Sequence, residues 1–555
     1  MIKNYLKIAI RTLRKRPFYS GINVFGLALG MCSAMFITLY VLHELSYDQF
    51  HQGAERVFRV TTNEGKNYHL ATTPAPLAGM IRQDIPEVEA VARVFTWNHS
   101  TMRLPDQPEK VFRETSIYIA DSTFLDVLDF NLIAGSTRAL DAPDGLVLTK
   151  ATAERYFGKG AVERDEVLGK EILFGGSRAA RVVSGVVDPP SATHFPFDML
   201  VATTGYDEFT EAENWGWNIM YTYLKLSPGV AGDARQMAAF QDKLDQLVAQ
   251  YVRPAFSASS SGAAESDLHY EIQAVTDIHL HSDLVREHQA NGSLATVYTL
   301  VGVAILILLL ACINFVNLST AQASQRAREV GVRKALGSSR KRLVFQFLLE
   351  SMLVTLLAVL IALAAVEALR IPFNTMTGKE LNLYWWQHPE IIFLLAGAVL
   401  LVGLLAGSYP AFYLSAFRPV RVLKGNIHLS LGGGLLRNLL IVFQFAVTIS
   451  LIITTGLVMK QLNYIQSKDI GYDRDNVLII KNDKEIQYRW KDFKAALLNL
   501  SSVKKVSFTT GIPSQPIKTI RDFRKEEENQ GNGIHWYKID ADYIATLGLE
   551  IVAGR

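Results

Sequence analysis

The sequence predicts an α-helical multi-pass membrane protein with five spans, a cytoplasmic N-terminus and an α+β extracytoplasmic domain. Three observations lead to this fold class. Five apolar runs are each long enough to cross a bilayer as a helix, which takes about 20 residues. Lysine and arginine concentrate beside alternate ends of these runs, as expected when the basic flanks stay in the cytoplasm. A polar segment of about 250 residues, enough for a core of its own, separates the first run from the second.

The composition is typical of a chain that lies partly in a membrane and partly in water. Of its 555 residues, 49% are hydrophobic and 20% are charged, and the mean hydropathy is positive. The net charge of +3 is too small to indicate a nucleic-acid partner. Both cysteines, Cys32 and Cys312, lie in apolar runs, so the polar segments have no disulfide framework.

The predicted spans are residues 21–43, 296–318, 344–369, 391–416 and 438–459. All but the third contain no Asp, Glu, Lys or Arg, and soluble core helices are rarely this long and this apolar. The third contains an acid near its start, Glu350. An ionisable group inside a span merits a functional hypothesis, but this one lies only about two turns in. Snorkelling of its carboxylate to the interface is therefore the favoured alternative.

The basic residues set the predicted orientation. They cluster before the first span, between the second and third, and between the fourth and fifth, whereas the loop between the third and fourth holds few. The positive-inside rule therefore puts residues 325–342 and 417–437 in the cytoplasm. Residues 1–20 carry apolar positions at helical spacing opposite lysines and arginines, which predicts a cytoplasmic interfacial helix. Residues 44–293 and 460–555 then lie outside.

The first outer segment, residues 44–293, has the mixed pattern of an α+β domain. Strand-like runs, helix-like runs and strong breakers follow one another along it. The strand-like runs include residues 56–61, 181–187 and 221–226, and the helix-like runs include residues 150–157 and 236–252.

The last segment of the chain repeats part of the first outer segment. Residues 124–130 and 133–135 share their apolar positions and a final Ala-Gly with residues 543–549 and 552–554. Both copies follow a span with a basic flank, so residues 460–555 are predicted to begin a second, truncated outer domain. We expect the chain to be a fragment of a longer one, because a strand-rich domain cut partway leaves unpaired edges. Loss of the second half is the alternative.

Motifs for nucleotide hydrolysis and for metal binding are missing or weak in the sequence. No G-x-x-x-x-G-K-[ST] phosphate loop occurs, so ATP hydrolysis is not expected in this chain, and no cofactor is expected. His279 and His281 would lie on one face of a strand, with Asp277 and Asp283 nearby. Two histidines without a clear third and fourth ligand are weak evidence for a metal, and a solvated turn is the favoured interpretation.

The cytoplasmic segment between the second and third spans carries a recognisable motif. Residues 328–337 read R-E-V-G-V-R-K-A-L-G, which resembles the R-E-I-G-I-R-K-A-L-G signature of MacB/FtsX-type permeases with two Val-for-Ile replacements. Residues 407–411, G-S-Y-P-A, resemble the G-x-Y-P-A segment of that family. Residues 147–150 and 155–158 are similar to its MacB-like periplasmic core domain. The duplicated layout resembles the subgroup in which one polypeptide carries two such modules and eight spans.

The resemblance implies the permease subunit of an ABC transporter in the cell inner membrane, with no enzymatic activity of its own. It implies that a cytoplasmic coupling helix at 325–342 contacts a separate ABC-type ATPase. The implied contact residues are Arg326, Arg328, Glu329, Gly331, Arg333, Lys334 and Gly337. ATP-driven motion would pass through the spans to the periplasmic domain and extrude a peptide, antibiotic, lipoprotein or similar substrate. A periplasmic adaptor, an outer-membrane component and a dimeric or pseudo-dimeric assembly through duplication are further expectations.

Two other functions stay open on the sequence. A regulatory, FtsX-like complex would activate a cell-wall hydrolase or sense a peptide, as some relatives do. A stand-alone membrane receptor would need no ATPase, but the sequence contains no kinase or output domain to support it. A large outer domain favours extrusion over regulation. The mixed-charge segment with Glu329, Gly331 and Gly337 favours a partner over a purely topological flank.

Overall fold

The computed structural model describes residues 7, 11, 14, 15, 17–64, 68–175, 179–203, 206, 214–258, 268–321, 323–382, 389–416, 431–480, 486, 489–513, 520–523 and 532–554. The chain divides into two compact units. The helical unit comprises Met1–Leu45 and Leu294–Lys468, and the sheet unit comprises Ser46–Ser293 and Asp469–Arg555. Most of the predicted interfacial helix at 1–20 and of the predicted linker at 417–437 lies outside the described residues.

The helices, in chain order, are α1 (Pro17–Leu45), α2 (Leu77–Asp84), α3 (Phe124–Val127), α4 (Lys150–Phe157), α5 (Ala234–Leu247), α6 (Arg253–Ala258), α7 (Val275–His281), α8 (Leu294–Ala321), α9 (Ala323–Ala335), α10 (Arg340–Thr377), α11 (Pro389–Ser415), α12 (Leu431–Ser467), α13 (Trp490–Leu498) and α14 (Tyr543–Thr546). The strands are β1 (Val57–Glu64), β2 (Tyr68–Leu70), β3 (Thr73–Pro74), β4 (Val88–Leu104), β5 (Gln107–Ala120), β6 (Leu132–Gly135), β7 (Gly145–Thr149), β8 (Glu171–Phe174), β9 (Ala179–Val187), β10 (Met199–Ala202), β11 (Asn218–Leu226), β12 (Leu268–Ala274), β13 (Ile520–Phe523) and β14 (Asn532–His535).

Within the described part of the helical unit, five helices are long and apolar enough to cross a membrane, namely α1, α8, α10, α11 and α12. Each overlaps one predicted span, so the multi-pass helical part of the predicted fold class is confirmed. α10 and α12, with 38 and 37 residues, extend past the apolar runs at both ends. α10 ends where Gly378 takes the left-handed conformation, which stops the helix.

Small residues let the long helices approach one another closely. α1, α8, α10 and α11 share an apolar core. A Cβ atom added at Gly407 of α11 would lie only 2.7 Å from the Cβ of Ser351 on α10. Lipid gives no hydrophobic drive for helix pairing, so close packing and interhelical hydrogen bonds hold such helices together. Between α8 and α12, the Asn317 Nδ2 atom donates to Gln444 Oε1 at 3.3 Å.

Twelve strands in the described part of the sheet unit form one sheet. Its order is β12-β1-β11-β4-β5-β10-β7-β9-β6, with β2 paired to β1, β3 to β11, and β8 to β4 and β9. Along this order neighbours are antiparallel except β5 with β10 and β7 with β9, which are parallel. α2 and α5 pack on the sheet, where Ile81 and Phe240 join a buried cluster with Val60 and Leu224. The α+β part of the fold class is therefore confirmed as well.

The described residues near the C-terminus share a local feature with the first outer segment. Phe124 N donates to Asp121 O at 3.0 Å, and Tyr543 N donates to Asp540 O at 3.2 Å. Each of these turns opens a short helix, α3 in the first segment and α14 in the last. The repeat and the second outer domain stay predictions.

The histidine pair at 279 and 281 does not lie on a strand, so that prediction was wrong. Both residues belong to α7, in which side chains two residues apart point in different directions. The His279 ring is buried and stacks on Tyr47 with 3.4 Å between ring centroids, whereas His281 is exposed. A seven-residue helix is too short for its periodicity to be recognised in the sequence, which explains the error.

Candidate functional site

The motif that carries the family resemblance folds as α9 and the turn that follows it. Gly337 has φ of +91°, which a residue with a side chain rarely adopts. The amide of Gly337 donates to Lys334 O and the amide of Ser338 donates to Arg333 O, both at 3.0 Å. These two bonds form a Schellman motif, which satisfies carbonyl groups at the helix end. Gly337 therefore ends α9, and the chain turns directly into α10.

A buried ion pair holds the start of α9 on α10. The Arg326 guanidinium donates two hydrogen bonds to the Glu350 carboxylate, at 2.7 and 3.0 Å. The two side chains are only 17% and 12% exposed. Arg326 also lies over the ring of Phe347, 5.9 Å from its centroid. The acid in the third predicted span is thus neutralised by an arginine and does not reach into water, so snorkelling does not describe it.

The end of α9 is held by two more side chains of the motif. Arg333 donates to Gln346 Oε1 on α10 at 2.7 Å and to Glu329 Oε1 on its own helix at 2.6 Å. Lys334 Nζ donates to the carbonyl oxygen of Ser415, the last residue of α11, at 2.6 Å. A lysine at this position also offsets the partial negative charge of the α11 C-terminus.

An apolar contact completes the attachment of α9. Val330 is 2% exposed and packs in a small cluster with side chains of α10 and α11. The buried members of that cluster are Val330, Leu343, Phe347, Ala411 and Leu414. Gly331, next to Val330, is buried too. One side of α9 is therefore fixed to the ends of two spanning helices by a salt bridge, hydrogen bonds and apolar packing.

The opposite side of α9 exposes an acid and two apolar side chains. Glu329, Val332 and Leu336 are spaced three and four residues apart and so share one face of the helix. Their side chains are exposed, Val332 at 46% and Leu336 at 82%. We call these three residues the outer face of α9. This face is the part of the motif that is left for a partner to contact.

The structure separates the seven implied contact residues into different roles. Glu329 belongs to the outer face and accepts from Arg333 on its own helix. Arg326, Arg333 and Lys334 contact α10 or α11. Gly331 is buried and Gly337 ends the helix, and the side chain of Arg328 lies outside the described residues. Sequence reasoning missed Val332 and Leu336. The sequence could have indicated them, because apolar residues stand three and seven positions after Glu329 in a segment rich in charged residues.

Two protein families match consecutive parts of the chain. The MacB-like periplasmic core domain matches residues 20–246, and the FtsX-like permease C-terminal domain matches residues 301–419. The second match contains α9 and the helices to which α9 is attached, while the first contains most of the sheet.

Individual relatives match shorter stretches. The macrolide export ATP-binding/permease protein MacB of Bdellovibrio bacteriovorus is 27% identical over 193 residues, which are 35% of this chain and 27% of that protein. The uncharacterized ABC transporter permease YknZ of Bacillus subtilis is 29% identical over 134 residues, 23% of this chain and 32% of that protein. The chain thus spans about a third or less of the length of these relatives. The periplasmic region of MacB from Actinobacillus actinomycetemcomitans has a TM-score of 0.28 and 15% identity, covering 40% of this chain and 90% of that chain.

Proposed function

The chain belongs to the MacB/FtsX-type ABC permeases, and from this premise we propose that it transmits ATP-driven motion of a separate ATPase to a periplasmic domain. The transmitted motion extrudes a peptide, antibiotic, lipoprotein or similar substrate. In this proposal the protein lies in the cell inner membrane with its N-terminus and α9 in the cytoplasm, an orientation supported by the basic flanks of the spans.

The attachment of α9 is the observation that carries the proposal. A helix that transmits motion from an ATPase to the spanning helices must be fixed to the spanning helices on one side. It must expose another side that the ATPase can bind. The Arg326–Glu350 pair and the buried Val330 fix α9 to the spanning helices. Its outer face remains for the ATPase, which would supply an apolar recess and a basic residue opposite Glu329. Burial of a Leu side chain contributes about 1.5–3 kcal/mol to such a contact.

Further partners belong to the same proposal. The absence of a phosphate loop in the sequence supports ATP hydrolysis on a separate subunit. The name of the Bdellovibrio relative joins ATP binding to permease function, which supports an ATP-driven role. A periplasmic adaptor, an outer-membrane component and a dimeric or pseudo-dimeric assembly complete the proposed complex.

Replacement of Leu336 by Glu tests the proposed contact. The full chain in lipid nanodiscs is titrated with the candidate ATPase, and binding is measured for the wild type and for Leu336→Glu. Loss of about 1.5–3 kcal/mol of apolar burial predicts binding at least tenfold weaker. The matched control is Val111→Glu, because Val111 is 50% exposed but lies on β5 in the sheet unit. Equal binding by Leu336→Glu and the wild type would exclude α9 as the contact. If no ATPase binds the wild type, the stand-alone receptor replaces the transporter.

A further inference from the structure

Two connectors join the sheet to the spanning helices that flank it in the chain. The first connector, residues 46–56, follows α1, and the second connector, residues 282–293, precedes α8. Asp48 of the first connector is fully buried and has φ of +58°. Its Oδ1 atom accepts hydrogen bonds from Thr193 Oγ1 at 3.0 Å and from the His194 amide at 3.1 Å. The first connector is therefore fixed to residues 193–194.

A chain of polar side chains continues from Asp48 through the interior of the sheet unit. The Nδ1 atom of His194 lies 2.9 Å from Asp48 Oδ1. Its other nitrogen, Nε2, lies 2.8 Å from the hydroxyl oxygen of Tyr223 on β11. That hydroxyl lies 3.3 Å from Nε2 of His288 in the second connector. We call Asp48, His194, Tyr223 and His288 the connector relay.

One assignment of protons satisfies both side-chain hydrogen bonds of Tyr223. His288 Nε2–H donates to the Tyr223 oxygen, and Tyr223 O–H donates to His194 Nε2. The Asp48 carboxylate accepts from the backbone amide of His194. Burial raises the pKa of Tyr223 far above its usual value, so the phenol stays protonated and able to donate. Burial would raise the pKa of Asp48, but hydrogen bonds to its carboxylate, among them that from the His194 amide, hold the pKa below its usual value.

The second connector is fixed to the same part of the sheet unit by other contacts. Gln289 Nε2 donates to the carbonyl oxygen of Thr193 at 2.8 Å, so residue 193 contacts both connectors. The ring of His288 stacks on Tyr221 of β11 with 3.6 Å between centroids. Arg59 of β1 pairs with Glu287 at 2.6 Å. The connector relay thus lies at the point where both connectors meet the sheet.

We propose that the connector relay is a positioning element that fixes both connectors to β11, so that α1 and α8 move the sheet as one body. Asp48 and Tyr223 act through the segments that they hold and touch no substrate. That an ATPase drives the motion is part of the proposed function. The link between the two connectors does not depend on the proposed function.

The link is tested by hydrogen exchange of the full chain in lipid nanodiscs, without the ATPase. Asp48→Asn removes the charge but keeps the size, and Asn tolerates a positive φ. Asp165→Asn is the matched control, because Asp165 also has φ of +58° but is exposed and outside the connector relay. We expect Asp48→Asn to raise exchange severalfold in both connectors, 46–56 and 282–293, and Asp165→Asn to change neither. A change confined to 46–56, or no change, would overturn the proposal.

If Asp48→Asn fails to fold, a second variant tests whether the two connectors are linked. Tyr223→Phe removes one oxygen from a residue that lies on neither connector, and we expect faster exchange in both connectors. Its matched control is Tyr156→Phe, which loses a buried hydrogen bond to Glu114. Glu114 lies on β5, two strands from β11 in the sheet. Equal increases in the two variants would show general destabilisation and overturn the proposal.

The ATPase is added last, to separate the link from the proposed function. Tyr223→Phe should reduce the ATP-dependent change in exchange of the sheet while ATP hydrolysis continues, and Tyr156→Phe should preserve that change. A normal ATP response in Tyr223→Phe overturns the positioning role. If the wild type shows no ATP response, the proposed function fails, and the exchange results without ATPase still decide whether the connectors are linked.

Discussion

At the scale of single residues, Glu350 shows how an acid is accommodated in an apolar helix. Its two carboxylate oxygens are each bonded to Arg326, 24 positions earlier in the chain. Breaking a buried pair leaves one uncompensated charge, which costs more than the pair itself contributes. The pair is therefore expected to be sensitive to single replacements and tolerant of a matched double replacement.

Arg326→Ala is predicted to destabilise the helical unit by about 3 kcal/mol, because Glu350 would be left buried and charged. The double variant Arg326→Met with Glu350→Leu should recover most of this loss, since an apolar pair of similar volume needs no compensation. Thermal unfolding in nanodiscs measures both. Arg164→Ala serves as the control, because the Arg164–Glu166 pair is about half exposed and should matter little. An Arg326→Ala variant as stable as this control would contradict the predicted role of the pair.

His51 makes the stability of the sheet unit depend on pH. Its side chain is fully buried, and burial lowers its pKa to about 4. The unfolded chain binds this proton near pH 6.5, so acidification favours the unfolded state. Stability should be constant above about pH 7 and should fall by about 3 kcal/mol between pH 6.5 and 4. Burial lowers the pKa of His279 too, which adds to the same trend.

Urea unfolding of the sheet unit at several pH values checks this prediction. His51→Phe should remove part of the pH dependence, and the ring can pack against Phe50 and Phe130, which already contact the histidine. His281→Phe is the control, since the His281 side chain is 50% exposed. Identical pH profiles for His51→Phe and the wild type would show that His51 does not titrate as described.

At the scale of secondary-structure elements, the close contact between α10 and α11 requires a glycine at position 407. Gly407→Ala would place a Cβ atom 2.7 Å from Ser351 Cβ and Oγ, so the two helices must separate. The expected cost is about 1–3 kcal/mol, measured as a lower unfolding temperature in nanodiscs. Gly397→Ala lies on the same helix with nothing within 4 Å of its Cβ, and it should be neutral or slightly stabilising. Equal unfolding temperatures for the two variants would contradict the packing.

Elements whose signal is local could be predicted from the sequence. The apolar runs identified the five spanning-type helices in the described part of the chain, because 20 apolar residues in succession rarely occur outside a membrane span. The helix at α4 and the strands at β9 and β11 followed from their patterns and from the Asp188-Pro189-Pro190 breaker after β9. The helix bounds were less accurate, because α10 and α12 continue into polar sequence where hydropathy no longer marks them.

Contacts between elements could not be predicted, and these define the candidate site. Spacing on one helix cannot reveal that Arg326 meets Glu350 or that Lys334 meets the end of α11. The motif therefore drew attention to α9 but did not show which of its faces is exposed. The structure shows that Val332 and Leu336 are exposed, because the opposite side of α9 packs on α10 and α11.

At the scale of the whole molecule, two sets of contacts matter for the proposed function, one in each unit. The helical unit holds α9 at the ends of α10 and α11, and the sheet unit holds both connectors through the relay. The chain itself joins these units at residues 45–46, 293–294 and 468–469. On the proposed function, a force applied to the outer face of α9 is transmitted to the sheet along the chain at these junctions.

Hydrogen exchange of the sheet unit in the reconstituted complex tests this central claim most directly. The full chain in lipid nanodiscs is mixed with the ATPase, and exchange of β11 is measured with and without ATP. We predict that ATP changes the exchange of β11 in the wild type. At an ATPase concentration that saturates the wild type but not Leu336→Glu, we predict a much smaller change in this variant, because it binds the ATPase at least tenfold more weakly. Unchanged exchange of β11 in a wild-type complex that binds and hydrolyses ATP would contradict transmission from the ATPase to the sheet.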